Sequence, residues 1–257
     1  MRIATFNINN VVSRLDVLID WLAQEEPDVV CLQELKAEQG RFPARLLEQL
    51  GYNAVWRGQR TWNGVAILAR GMTPVLTRTA LPGDPDPGQA RYIEAAVNGV
   101  LVGCLYLPNG NPVPGPKFDY KLAWLEALIA HAQALLASGA PVVLAGDYNV
   151  VPTEADLYPN HSYGGDALLR PESRQAFHRL LDQGWTDALR AVHPQGPLWT
   201  FWSYLRMRWP NDKGLRIDHL LISPDLADQL ADAGVDRWVR GLRDASDHAP
   251  AWIALDR

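Results

Sequence analysis

Short apolar runs recur along the chain, and each gives way to polar residues with chemistry to offer. Ile3-Ala4-Thr5-Phe6 leads to Asn7 and Asn9, and Val29-Val30-Cys31-Leu32 leads to Glu34. Val102-Gly103-Cys104-Leu105 runs into Tyr106 and Asn109, and Val142-Val143-Leu144-Ala145 into Asp147 and Asn149. Runs this short read as strands rather than helices. Further strands are predicted at Val65–Ala69 and Tyr92–Val97, and near 199–204, 216–223 and 249–255. Helical spacing takes over between them. Leu15, Leu18, Ile19 and Leu22 share a face after Ser13, with Asp16 placed for a capping box. Leu122, Leu125, Ile129, Ala132 and Leu136 mark a long helix over 118–138, stopped by Gly139. Another covers 172–183 and closes at Gly184, while the Pro- and Gly-rich stretches 82–88 and 109–116 read as loops.

Strands that mostly follow strands, with a few long helices beside them, favour two packed sheets flanked by helices over a βαβ parallel sheet. No linker or low-complexity segment interrupts the 257 residues, which predicts one domain over 1–257. Polar residues at successive strand ends then predict one rim holding one site.

Composition narrows the class without naming a chemistry. A hydrophobic fraction of 47% and a charged fraction of 21% describe an ordinary globular protein. The net charge of −5 argues against broad affinity for polyanions, although the local charge of a groove matters more than the sum. Cys31 and Cys104 lie inside apolar runs and read as buried thiols; no clustered Cys/His suggests zinc. The chain opens directly on a strand and holds no long apolar span. A cytoplasmic monomer with no membrane contact is the expectation.

The candidate chemistry converges on phosphate. Ser246-Asp247-His248 and Arg216-Ile217-Asp218 add an imidazole and two carboxylates to the strand-end set. Hydrolysis of an anionic ester needs positive charge near the phosphate, a base or orienter for water, and help for the leaving oxygen. Carboxylate and amide oxygens suit Mg²⁺ or Mn²⁺, with Glu34 and Asn7 the leading ligand candidates and Asp247 another. Each residue alone has a plainer reading: strand-end Asn and Glu are commonly turn residues, and Asp147 with Asn149 could be an Asx turn. His248 beside an acid can stand as imidazolium against a phosphate, with Asp218 as its natural orienting partner. The remaining histidines, His131, His161, His178, His193 and His219, have no such setting and read as structural or surface.

Phe6-Asn7-Ile8-Asn9, Leu32-Gln33-Glu34, Tyr106-Leu107-Pro108-Asn109, Gly146-Asp147-Tyr148-Asn149, Arg216-Ile217-Asp218 and Ser246-Asp247-His248 occur in one order over essentially the whole chain. Gln89-Ala90-Arg91 and Lys117-Phe118 with Tyr120-Lys121 fall between them. This set resembles the exonuclease III family of abasic-site endonucleases, within the endonuclease/exonuclease/phosphatase superfamily. The resemblance implies an α+β fold, a four-layer αββα sandwich like that of deoxyribonuclease I, and dependence on Mg²⁺ or Mn²⁺. It implies cleavage of double-stranded DNA 5′ to abasic sites, with 3′-phosphodiesterase and 3′–5′ exonuclease action on blocked ends. By position it assigns Asn7, Glu34, Asp147, Asn149 and Asp247 to the metal side. Tyr106, Asp147, Asn149, Asp218 and His248 would carry the catalysis.

One segment argues for DNA among the superfamily's substrates. Between Leu198 and Ile217 stand Arg206, Arg208, Lys213 and Arg216 against Asp212 alone, interleaved with Trp199, Phe201, Trp202 and Trp209. Cations among aromatics suit a phosphate track with surfaces for a base or a bare sugar. Asn9, Asn109, Phe201, Trp202, Arg206, Arg208, Trp209 and Lys213 are the expected substrate contacts, with Phe201 and Trp202 lining the sugar pocket by resemblance. Leu215 stands where some relatives carry an aromatic. Arg57, Arg60, Lys117 and Lys121 are further basic candidates for DNA. A phosphoesterase for another substrate and a noncatalytic DNA-binding module are the competing readings.

Overall fold

Continuous apolar runs need cover on both faces, and the chain supplies it by stacking two sheets between helices. A computed structural model describes residues 1–257. In chain order the strands are β1 (Arg2–Asn7), β2 (Val29–Gln33), β3 (Tyr52–Arg57), β4 (Val65–Arg70), β5 (Val75–Arg78), β6 (Tyr92–Val97) and β7 (Val100–Tyr106). After these come β8 (Val142–Asp147), β9 (Thr186–Asp187), β10 (Asp218–Ile222), β11 (Leu230–Val235) and β12 (Ala251–Leu255). The helices are α1 (Leu15–Glu25), α2 (Ala44–Gln49), α3 (Pro116–Ala137), α4 (Pro171–Asp182), α5 (Ala188–Val192) and α6 (Pro224–Ala227).

The strands form two six-stranded mixed sheets, ordered β11-β12-β1-β2-β4-β3 and β5-β6-β7-β8-β10-β9. Side chains alternate across each strand, so each run feeds two cores. Ile3, Val29, Cys31 and Ile67 meet Ile93, Val102, Cys104, Val143 and Leu220 between the sheets. Their outward neighbours Phe6, Val30, Leu32 and Leu68 pack on Leu18, Trp21 and Leu22 of α1. Tyr92, Leu105 and Leu144 pack on Trp124, Leu125 and Leu128 of α3 and on Phe177 and Leu180 of α4. The result is the four-layer αββα sandwich. Burying each large side chain contributes about 1.5–3 kcal/mol. No helix is long and apolar enough to cross a membrane.

Several local expectations are corrected. The Ser13/Asp16 capping box does not form, and α1 begins after Arg14 without a side-chain cap. The chain turns one step earlier, where Asn10 Oδ1 accepts from the amides of Val12 and Ser13. The stretch 199–204 is no strand; Phe201 makes only isolated bridges, to Leu215 and His248. The predicted strands at 216–223 and 249–255 shorten to β10 and β12. β3, β5 and β11 had no apolar signature to betray them. β3 is half-exposed along most of its length, β5 is exposed throughout, and β11 carries Asp and Gly.

Candidate active site

Strand direction makes the rim. β1 runs parallel to β2 and β7 parallel to β8, so all four polar ends emerge on one edge of the sandwich. The register sets Tyr106 beside Asp147, and Asp147 opposite Asp218 where antiparallel β10 begins. β12 runs antiparallel to β1, which delivers the preceding segment 246–250 to the same edge. Ser246 Oγ donates to the carbonyl of Asn7 at 2.6 Å and fixes that approach. Three rim residues, Asn9, Glu34 and Asn149, take left-handed φ of 48°, 52° and 47°. Such left-handed conformations are uncommon away from Gly, Asn and Asp, and they cluster at functional sites.

Side chains from six separate segments meet at this edge. Asn7 Nδ2 donates to both Glu34 Oε1 and Asp147 Oδ2 at 2.9 Å. Tyr106 donates its hydroxyl to the same Glu34 oxygen at 2.8 Å. His248 Nδ1 meets Asp218 Oδ2 at 2.8 Å, and its Nε2 lies 3.8 Å from Asp147 Oδ2. Asn149 is held from three sides: its amide donates to Asp147 Oδ1, its Nδ2 to the Leu107 carbonyl, and its Oδ1 accepts from Asn109. Asp247 stands slightly apart, accepting from Asn9 Nδ2 at 3.0 Å.

Burial and charge divide the roles. Burial alone would favour neutral His248, but Asp218, by charge and hydrogen bond, with Asp147 and Asp247, raises its pKa to about 10. The ring is therefore an imidazolium near neutral pH. Burial, reinforced by the negative charge of Asp218, pushes Asp147 up to about 7, despite the opposing His248 charge and Asn149 amide. Burial also works against the Glu34 carboxylate, but Lys36 and Asn7 outweigh it and hold its pKa below the ordinary value. Burial and then the charges of Glu34 and Asp147 keep the Tyr106 phenol well above its usual range, so it acts as a donor.

The donor set can hold a divalent cation. Asp147, Asp218 and His248 bring ligand atoms within 4.8 Å of one another. Asp218 Oδ1 is buried with no hydrogen-bond partner, and Asp147 is repelled by Asp218, so the pocket carries uncompensated negative potential. A cation would relieve both. Carboxylate oxygens from Glu34 and Asp147 suit a hard ion. Asn7 turns its Nδ2 to both and its Oδ1 to the Asn9 amide, so it would ligate only with its amide reversed, and a protonated His248 cannot ligate.

Lys36 was not singled out in the sequence, and Ser246 and Arg91 stood within motifs without a role of their own. Lys36 pairs with Glu34 at 2.7 Å and donates to Asn9 Oδ1 at 2.6 Å, joining both rims of the β1–β2 end. Ser246 anchors the His248 segment, and the Arg91 guanidinium lies 4.9 Å from the centre of the Tyr106 ring. The positions of Lys36 and Ser246, two residues from Glu34 and from His248, were the available signal.

The expected DNA face is thinner than its sequence suggests. Phe201 lies half-buried against the His248 ring at 4.9 Å, and Arg206 and Lys213 are exposed. Trp202, expected in the sugar pocket, is instead fully buried and donates its indole N–H to Asp212 at 3.0 Å. Its ring packs edge-on against half-buried Trp209, so it shapes the loop from beneath. Arg208 is also turned inward, onto Tyr158 and Ser162. Arg216 is 1% exposed and bridges Asp156 and Asp187, each at 2.7 Å, so its charge is spent inside. Leu215 lies buried beneath Phe201 and leaves no second ring on that side. His131 and His219 are buried structural residues, bonded to Glu94 and to the Val150 carbonyl respectively.

Known proteins share this arrangement from end to end. The family described as Endonuclease/Exonuclease/phosphatase matches residues 4–248. Exodeoxyribonuclease III of Haemophilus influenzae is 30% identical over 265 residues, covering 98% of each chain. A Neisseria enzyme, solved as a 3′–5′ exonuclease and as a 3′ phosphatase bound to a product DNA hairpin, superposes with a TM-score of 0.96 at 40% identity over 100% of both chains. An AP endonuclease from Archaeoglobus fulgidus gives a TM-score of 0.95 at 32% identity, again with 100% of both chains covered. Matched over residues 4–248 and across nearly its full length, the chain belongs to the endonuclease/exonuclease/phosphatase family, on its exodeoxyribonuclease III and AP-endonuclease side.

Proposed function

We propose that this protein is a divalent-metal-dependent DNA-repair nuclease that hydrolyses the phosphodiester 5′ to an abasic site and trims blocked 3′ ends. The observation that carries the reading is the Asp218–His248 pair aimed at Asp147, beside the Asn7–Glu34 bridge. Water attacks phosphorus, the P–O3′ bond breaks, and the products are a 3′-hydroxyl and a 5′-phosphate. Asp147, central in the site with His248 Nε2 3.8 Å away, is placed to position the water and take its proton. The His248 imidazolium, oriented by Asp218, stabilises charge growing on the phosphate oxygens. Asn149 and Asn109 steady the phosphate from the β7–β8 side, and the Tyr106 hydroxyl faces the leaving group. Glu34 and Asp147, and Asn7 with its amide reversed, would hold Mg²⁺ or Mn²⁺, which supplies Lewis-acid neutralisation of the phosphate. Asp247 holds the loop that aims His248 through its bond from Asn9.

Outside the pocket, Arg206 and Lys213 track the backbone. The exposed loop residues Tyr204, Leu205 and Met207 present apolar surface to the groove. Phe201 packs on the sugar that lacks a base. A duplex with one abasic-site analogue is incised with Mg²⁺ and left intact with EDTA. Hydrolysis of a lipid or inositol phosphoester without incision would sink the reading.

A second reading keeps the site and changes its preferred substrate to 3′-phosphate ends. It is favoured by buried Leu215 and Trp202, which leave Phe201 as the ring beside His248, and by the 40% identity to the Neisseria phosphatase. Rates on a 3′-phosphate duplex and on the abasic duplex, measured side by side, separate the two.

A further inference from the structure

Lys121 reads in the sequence as a surface cation for DNA, yet it is fully buried. It sits one turn from Phe118 and Trp124 on the inward, mostly apolar stripe of α3. Its ammonium has no carboxylate at hydrogen-bond distance. It donates instead to two main-chain carbonyls, those of Asn149 at 2.5 Å and Asn109 at 3.1 Å. Neither carbonyl receives a backbone amide, so Lys121 is their donor. The space is tight, since a Cβ on Gly110 would lie 2.6 Å from Lys121 Cδ. Burying an ammonium among apolar groups is costly unless its donors are used. Here they join the two loops whose side chains, Asn109 and Asn149, bond to each other at 3.1 Å at the rim.

We propose that Lys121 is a positioning residue, which clamps the ends of the β7 and β8 loops from below and so sets the Asn109–Asn149 pair against the scissile phosphate. It touches no substrate. It acts through two carbonyls. The proposal rests on the nuclease reading for its kinetic consequence but not for its structural one.

Lys121→Met keeps the length of the side chain and removes the donors. In single-turnover incision of the abasic duplex, kcat should fall about 10²-fold, the scale of a small misplacement near the reacting atoms. KM and the salt dependence of binding should stay within about twofold, whereas loss of a DNA-contacting lysine would shift both. Lys121→Arg, which can donate to both carbonyls, should recover most of kcat. Amide hydrogen exchange should quicken at 107–111 and 148–151 in Lys121→Met while the C-terminal half of α3 stays protected. A folded variant with unchanged exchange in those segments overturns the proposal, whatever its activity. So does wild-type kcat in Lys121→Met. If that variant does not fold, Lys121→Gln replaces it under the same criteria. Absence of incision by the wild type would instead overturn the proposed function, and the exchange measurement would still judge Lys121.

Discussion

Replacing Asp218 by Asn tests the centre of the mechanism with the smallest change of shape. Asp218 is fully buried, and its Oδ2 holds His248 Nδ1 at 2.8 Å. Tenfold in proton affinity is about 1.4 kcal/mol, so raising His248 from 6.5 to about 10 represents about 5 kcal/mol in favour of the imidazolium. Burial opposes that rise, and Asp218, ahead of Asp147 and Asp247, is its leading cause. Losing the Asp218 carboxylate should therefore cost about 10²-fold in rate, the scale of a lost oriented acid–base group. An Asn can also present its NH₂ to Nδ1 and select the wrong tautomer, which extends the expected loss to about 10⁴-fold. The assay is single-turnover incision of the abasic duplex in Mg²⁺ between pH 6 and 10, with melting temperature as the folding control. The imidazolium is the active form, so activity on this limb is lost as pH rises through the folded pKa. For the wild type that limb lies near pH 10. In Asp218→Asn it should move towards neutrality. A variant that keeps kcat within about threefold of wild type, with an unmoved alkaline limb, refutes the imidazolium role.

Further outcomes follow from the same structure. In EDTA, rising pH costs stability through Asp147 and His248, raised to about 7 and about 10, and adds it through buried His219 and Lys121, lowered to about 4 and about 7. Lys121→Met removes one of the opposing groups, so its stability should fall more steeply than the wild type's from pH 7 to 10. Thermal melts of both proteins across that range check the difference, and parallel profiles contradict it. Arg216→Met leaves Asp156 and Asp187 buried without their shared cation and should cost about 3–5 kcal/mol, or roughly 10 °C in melting temperature, with a shift under about 2 °C counting against it. Arg206→Ala should raise KM at constant kcat and reduce the salt slope by about 1, as loss of one phosphate contact requires. Unchanged binding would place the track elsewhere.

Much of the site could be read as residues before it could be seen as a place. Asn7, Glu34, Tyr106, Asp147 and Asn149 were conspicuous because each follows an apolar run, and the runs are continuous because both faces of those strands are buried. Asp218 and His248 were conspicuous within the dipeptides Asp218-His219 and Asp247-His248, but their contact spans 30 residues of sequence and two strands. Where side chains lay in loops, the local reading failed more often. Trp202, Arg208 and Arg216 in loops, and Lys121 on α3, looked like surface groups for DNA, and all are turned inward.

The linear chain determined which residue types want burial and at what period, and hence two sheets, flanking helices and polar strand ends. Periodicity is a local property that survives without the fold. Only the tertiary structure decided which ends share an edge, because that depends on the parallel pairing of β1 with β2 and β7 with β8. It also decided which cations face water. A charge is turned inward when distant partners offer it hydrogen bonds, as Asp156 and Asp187 do for Arg216 and two carbonyls do for Lys121. No spacing along the sequence encodes such partners.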